Sequence, residues 1–322
     1  MSVTITTGGV TITGAGVTFV APPAPPSVAT AGWFSGGQTT GSAATTTVQR
    51  ITFATDTATA SVRGPLTYAR YGAGSTSTFT YGWVGGYGTN IERITFSSDT
   101  DATSTRGTMF ANSSIAAAGN TSYGWYGGGE NGSGPLSTVN RIDYSNDTGT
   151  ASTRGPLAAS PGVKGLAAAG NSSYGWFAGG DDNSGYISKI SRIDYSNDTP
   201  TASVRGPLSA GRYGLGGTSD SSTYCWFAAG TDNSVTPTST VNRVTTANDT
   251  VVTSVRGPLN LALYTTTGTG DTSYGYYGGN SPGNAAKSTV VRITYATDTA
   301  TATSKGPLAV GKTFAAACAG SQ

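Results

Sequence analysis

Histidine is absent from this 322-residue chain. That removes the commonest general base and the commonest metal ligand together, and with them any His-dependent Ser or Cys triad. Cysteine occurs only as Cys225 and Cys318, too few for a disulfide framework or a Cys/His zinc site; both read as small core residues. Charged residues make up 11% and the formal net charge is +2, which offers no basic surface to nucleic acid or anionic lipid. No apolar run approaches the roughly 18–20 residues of a membrane-spanning helix. The opening MSVTITTGGV lacks the basic and apolar regions of a secretory signal. Phosphate loops and dinucleotide fingerprints are missing too, because the Gly-Gly pairs end strands and do not open helices.

Glycine, by contrast, is abundant at 48 residues, and a chain of this kind is first compared with itself. Six copies of one pattern emerge. Each opens with an aromatic-glycine block: GWFSGG at Gly32, YGWVGG at Tyr81, YGWYGG at Tyr123, YGWFAGG at Tyr174, YCWFAAG at Tyr224 and YGYYGG at Tyr274. After a variable loop comes a basic-aliphatic-x-aromatic strand, led by Arg50, Arg93, Arg141, Arg192, Arg243 and Arg292. These arginines recur at about 48 residues on average, the period of four-stranded propeller blades. Six residues after each stands an aspartate: Asp56, Asp99, Asp147, Asp198, Asp249 and Asp298. Thirteen residues after each stands a second cation: Arg63, Arg106, Arg154, Arg205, Arg256 and Lys305. Gly-Pro-Leu follows directly in five copies, and Gly107-Thr108-Met109 replaces it in the second.

Short runs of Thr, Val, Ile, Tyr and Phe bounded by Gly, Asn, Asp and Pro read as strands. No stretch carries helical spacing over eleven residues. Each copy therefore supplies four strands, the first rich in Ala and Gly. One such sheet cannot bury a core alone, so neighbours must stack. Copy one lacks its first strand, and 313–320 is a first strand with no second after it. Joining the two completes one blade from both ends of the chain. The expectation is an all-β, six-bladed propeller over 27–322, its first blade closed by the C-terminal strand.

The Arg/Asp/basic sets recur in every copy, which suits a scaffold contact better than a ligand site built from unlike residues. They are expected as structural ion pairs within or between blades. The second-strand aromatics, Trp33, Trp83, Trp125, Trp176, Trp226 and Tyr276, are expected between blades, although stacked rings could also form a sugar platform. Gly-Pro-Leu is expected to mark the outer strand's exit, with Leu covering the sheet edge.

Variation within a regular repeat points to function. The second-to-third-strand loops, 38–47, 87–90, 130–138, 181–188, 231–240 and 280–289, differ in length and chemistry and emerge on one face. Tyr87, Asn131, Asp182, Asn183, Tyr186 and Asn233 are the candidate binding residues there, with ordinary solvated loops as the alternative. Carboxylate pairs for glycoside hydrolysis could be sought among Glu92, Glu130, Asp181, Asp182, Asp232 and Asp271. The Asp181-Asp182-Asn183-Ser184-Gly185 loop has oxygen ligands for Ca²⁺ but not the spaced acidic run of a strong motif. No metal or other cofactor is expected. Residues 1–26 form a separate segment: Val, Ile, Thr and Gly alternate as in strands, and Pro22, Pro23, Pro25 and Pro26 make a stiff spacer. It is expected as an extended anchoring arm, a disordered tail being the alternative.

The order of small strand, aromatic strand ending in Gly-Gly, third strand and fourth strand resembles kelch-type propellers. The Arg63-Gly64-Pro65-Leu66 type departs from them where a fourth-strand Trp is usual. The tandem YGWFAGG…RIDYSNDT wording resembles repeat proteins of tailed bacteriophages, cyanophages especially. That resemblance implies a non-enzymatic virion structural protein, a fibre, appendage or capsid decoration made in the host cytoplasm. Its expected partners are other virion proteins through the arm and a host surface glycan or receptor. Neither nucleic acid nor membrane insertion is expected; self-association in the particle stays open. The alternatives are an extracellular carbohydrate-binding or adhesive propeller of a cellular organism and, third, a propeller glycosidase.

Overall fold

The computed structural model describes residues 2–6, 9–13, 28–280 and 286–320. Blade 1 is a four-stranded antiparallel sheet in the order Ala316–Ala319, Ala31–Ser35, Val48–Thr52, Ser61–Arg63. The C-terminal strand is thus its innermost member. Blades 2 to 6 follow in chain order from the inner strands Gly74–Ser77, Ala116–Gly119, Ala167–Gly170, Gly216–Ser219 and Tyr264–Gly270. Each inner strand touches the next, and the sixth touches the C-terminal strand. The molecule is a closed six-bladed β-propeller. Ala and Gly on these strands allow six backbones to crowd one axis. Separately, Ser2–Thr6 pairs antiparallel with Gly9–Thr13. The proline spacer expected after it lies outside the described residues.

In every blade the second-strand aromatic faces the third-strand arginine, as Trp125 faces Arg141. Both then reach forward into the next blade. The indole N–H of Trp125 donates to Asp198 Oδ2 at 2.8 Å, and Arg141 Nη1 lies 3.0 Å from the same oxygen. Arg154 Nε joins them at 3.5 Å. The set recurs as Trp33/Arg50/Arg63 on Asp99, Trp83/Arg93/Arg106 on Asp147, Trp176/Arg192/Arg205 on Asp249 and Trp226/Arg243/Arg256 on Asp298. Blade 6 hands on to blade 1 with a tyrosine in the tryptophan's place. The Tyr276 hydroxyl donates to Asp56 at 2.9 Å, beside Arg292 at 2.7 Å and Lys305 at 3.2 Å. All six aspartates are buried. The third-strand aromatic stacks on the preceding blade's ring, Tyr195 on Trp125 at 3.9 Å and Tyr144 on Trp83 at 4.0 Å. Thr246 occupies that position in blade 5, so Trp176 has no such partner.

Gly-Pro-Leu does something other than cover an outer edge. Its glycine N–H donates across the seam to the next blade's aspartate carbonyl, as Gly155 to Asp198 at 2.9 Å and Gly306 to Asp56 at 2.7 Å. The proline carbonyl also accepts across the seam from that next blade, Ala202 N–H reaching Pro156 at 2.8 Å. The leucine is buried between blades: Leu66 packs with Trp33 of blade 1 and with Val84 and Ile94 of blade 2. The backbones approach so closely that a Cβ on Gly206 would lie 1.7 Å from the Val251 carbonyl oxygen. Where blade 2 has Thr108 for Pro, the outer strand runs on over Ser104–Asn112, since threonine keeps the N–H that proline lacks.

A second buried set lies where the chain crosses to the next inner strand. The residue before that crossing faces the one before the third-strand arginine. In blade 2 these are Arg70 and Glu92, a buried pair at 2.7 Å. In blade 5, Arg212 donates to Asn242 and to the Ala229 and Thr240 carbonyls. In blade 1, Lys312 donates to Gly36 O, Thr45 Oγ1 and Thr47 O. In blade 6 the two positions are Leu263 and Val291, both buried. Lys312 has no carboxylate among these partners, and burial lowers its pKa from 10.5 to about 7.

Three outcomes follow from these contacts. Asp198→Ala leaves two arginines and an indole without their acceptor and is expected to cost roughly 3–5 kcal/mol; an unchanged melting temperature contradicts that. Gly206→Ala is expected to destabilise by about 1–3 kcal/mol or more, against under about 0.5 kcal/mol for Gly132→Ala, whose Cβ meets nothing within 4 Å. Equal losses in denaturant melts contradict the close approach. For Lys312, the unfolded chain binds the extra proton between the folded pKa of about 7 and 10.5. Stability from this group therefore rises with pH across that window, and its penalty is fully present below it. The stability of Lys312→Met relative to the native chain is expected to fall steadily from pH 7 to pH 10; a flat difference contradicts the burial cost.

Candidate functional site

The two faces of the ring are chemically unlike. Inner strands turn into second strands through polar turns such as Asn171-Ser172-Ser173 and Asp220-Ser221-Ser222. Here the axis widens into a hollow of about 610 Å³, lined mainly by Ala, Gly, Ser and Thr. Its acids and amides are engaged in shaping the turns: Asp220 Oδ1 accepts from the Ser222, Thr223 and Tyr224 amides. Asn171 Oδ1 accepts from Ser173 and Tyr174 in the same way. This is the larger space, and with its acid and amide engaged the polar groups it offers are serine and threonine hydroxyls.

The opposite face gathers the described variable loops and the crossings between blades; 281–285 of the sixth loop lie outside the described residues. Loop and crossing residues pair directly, as Lys164 with Asp181, Tyr213 with Thr231 and Ser113 with Glu130. The axial opening here is narrow, about 90 Å³, and Phe314 is among its lining residues. Around it lies a strip of aromatic rings. Tyr87 packs on Tyr71 with centroids 4.2 Å apart, Tyr71 meets Phe314 at 6.3 Å, Phe314 meets Tyr213 at 6.4 Å, and Tyr213 stacks on Tyr186 at 5.5 Å. Tyr264 flanks the middle, 6.3 Å from both Phe314 and Tyr213. Tyr87 is exposed and the other rings are half-buried. The strip thus crosses the axis from blade 2 to blade 4.

Local sequence places each ring. Tyr71, Tyr213 and Tyr264 each stand just before the left-handed residue at the entry to an inner strand. That left-handed residue is Gly72 at φ +59°, Gly165 at +61° and Gly214 at +70°, but Phe314 at +51° in blade 1. Gly165 also makes room for the neighbouring ring, since a Cβ there would sit 2.0 Å from Tyr213 Cε2. Asn233, from the blade 5 loop, clamps the blade 4 loop. Its Oδ1 accepts from Tyr186 N–H at 2.7 Å and its Nδ2 donates to Tyr186 O at 3.2 Å.

Of the candidate residues, Tyr87 and Tyr186 stand at the two opposite ends of the strip, and Asn233 positions Tyr186. Asn131 and Asp182 each use one oxygen to accept a turn amide, from Ser133 and Ser184, both at 2.9 Å. Asn183 is exposed at φ +69°. The central rings, Tyr71, Tyr213, Tyr264 and Phe314, were not singled out from the sequence. The signal was present as Arg70-Tyr71-Gly72 and Arg212-Tyr213-Gly214, a pattern that only two copies share.

Charge at the strip is balanced. Glu130 Oε2 meets Lys164 Nζ at 2.9 Å. Burial raises the phenol pKa values of Tyr71 and Tyr213; Tyr87 adds to the first, Tyr264 to the second and the Glu130 charge to both. The phenols are therefore neutral hydrogen-bond donors at physiological pH. Glu92 is buried in its pair with Arg70, and Asp271 caps the turn before Tyr274 on the other face. Neither can act with a carboxylate of the loop face. Among the described residues, no three His, Cys, Asp or Glu side chains group so as to hold a metal ion. No protein-family model matches the chain, and no curated protein matches it either.

Proposed function

We propose that this protein is a non-enzymatic virion structural protein of a tailed phage, a kelch-like propeller displayed for attachment to the host surface and held to the particle by residues 1–26. The observation that carries attachment is the aromatic strip across the loop face. Tyrosine-rich surfaces with small polar neighbours present large, stiff contact area at low entropic cost. The repeated charges are taken up between blades, which leaves the varying loops to carry recognition. The phage assignment is supported by the YGWFAGG…RIDYSNDT wording of the repeats, and kelch kinship by their strand order and Gly-Gly blocks. An adhesive propeller of a cellular organism would use the same strip, and where the protein is found separates the two.

Mass spectrometry of gradient-purified particles is expected to find the full chain as a stoichiometric component. Deleting residues 1–26 is expected to leave the melting temperature of the ring unchanged while removing the protein from particles. Its absence from particles, or normal incorporation of the shortened chain, contradicts the proposal.

A further inference from the structure

Phe314 is held where a phenylalanine is least at ease. At the equivalent residue three other crossings carry glycine, a fourth carries Ser114 at φ +56° and a fifth Thr265 at +51°. A bulky L-residue in this region is strained. The fold closes the same turn with glycine in blades 2, 4 and 5, so it does not need the ring. What the ring does is fill the centre of the aromatic strip, within 6.3–6.4 Å of Tyr71, Tyr213 and Tyr264.

The strip is a platform and not a pocket. The opening beneath it, about 90 Å³, falls far below the roughly 300–1,000 Å³ of sites that engulf a small molecule. It offers no deep socket for the buried anchor residue that protein partners favour. Nor does it suit an anion, because Lys164 is already paired with Glu130. Its rings follow one another at 4.2–6.4 Å from Tyr87 through Phe314 to Tyr186. A ligand that fits must be long, uncharged and made of successive flat units. Each unit needs an apolar face for a ring and hydroxyls at its rim for neutral phenols, amides and carboxylates.

We infer that the strip binds a linear, uncharged oligosaccharide, laid across the propeller axis with a pyranose stacked on Phe314 and its chain running toward Tyr87 and Tyr186. Pyranose C–H faces stack on the rings. The sugar hydroxyls meet the phenols and, at the blade 3–4 edge, the Asn131 Nδ2 donor, the second carboxylate oxygen of Asp182 and the side chain of Asn183. This names the ligand class of the attachment face and rests on that reading for its setting only.

The test uses the full-length protein on an array of neutral and anionic glycans, with hexamers and dimers of each neutral sugar. Binding is expected to at least one neutral glycan, at least tenfold tighter for the hexamer than for the dimer. Phe314→Gly is expected to lose at least tenfold in affinity with a melting temperature equal to or above the native one, because glycine relieves the backbone strain. Thr121→Ala, on the opposite face, is expected to bind as the native chain does. No neutral glycan bound, equal affinity for dimer and hexamer, or full binding by Phe314→Gly would overturn the inference. Host-cell binding that resists periodate but not proteinase also overturns it, while leaving attachment through a protein receptor intact. Absence of the protein from particles defeats the virion reading and leaves the array result standing.

Discussion

One carboxylate oxygen in each of blades 2 to 6, accepting from an indole and an arginine of the blade behind it with a second arginine 3.5–3.6 Å away, is the contact on which the ring depends. Taken alone, such a group would be a liability, because a buried charge that loses its partners is costly. Here the cost is met by repetition. Every Oδ2 from Asp99 to Asp298 has the same three neighbours, and each aspartate's backbone carbonyl is occupied by the Gly of Gly-Pro-Leu or its blade 2 equivalent. Side chain and main chain therefore specify one spacing between neighbouring sheets. The same device bridges the closing seam, where Asp56 meets Tyr276, Arg292 and Lys305.

This dependence explains which parts of the structure were legible beforehand. The repeat, the +6 and +13 offsets and the half-blades at the two ends are properties of one copy read along the chain, and they define the closed six-bladed ring. The partner of each aspartate is not such a property. Asp198 lies closer in sequence to Arg192 and Arg205 than to Arg141 and Arg154, yet it pairs with the latter two. Gly-Pro-Leu does mark the outer strand's exit, but its tight contact with the aspartate carbonyl of the next blade is equally invisible within one copy. Lys312 and Arg212 are not legible in the sequence either, because a buried cation looks like a surface cation until its carbonyl partners are known.

The face that carries recognition was legible as loops and not as a site. Tyr87 and Tyr186 stood out in variable segments, but Tyr71, Tyr213, Tyr264 and Phe314 sit in crossings that otherwise look like turn sequence. They converge because the axis brings successive crossings within reach of one another. A sixfold scaffold places equivalent positions around a small circle, and unlike residues at those positions break the symmetry into a directional surface. Blade 1 does this most sharply, through the departure of Phe314 from glycine. Blade 1 departs elsewhere too. Ala31 stands where the other blades place a tyrosine beneath the third-strand arginine, and a recess of about 440 Å³ beside Trp33, Arg50, Phe79 and Phe96 marks the missing ring.

The claim that cross-blade carboxylates seal the ring is tested most directly at the seam joining the two ends of the chain. A double-mutant cycle of Asp56→Ala and Arg292→Ala, read by denaturant unfolding, measures their coupling across 236 residues of sequence. The account predicts a coupling of at least about 1 kcal/mol. Losses that add to within about 0.5 kcal/mol would show that the seam is held by something else.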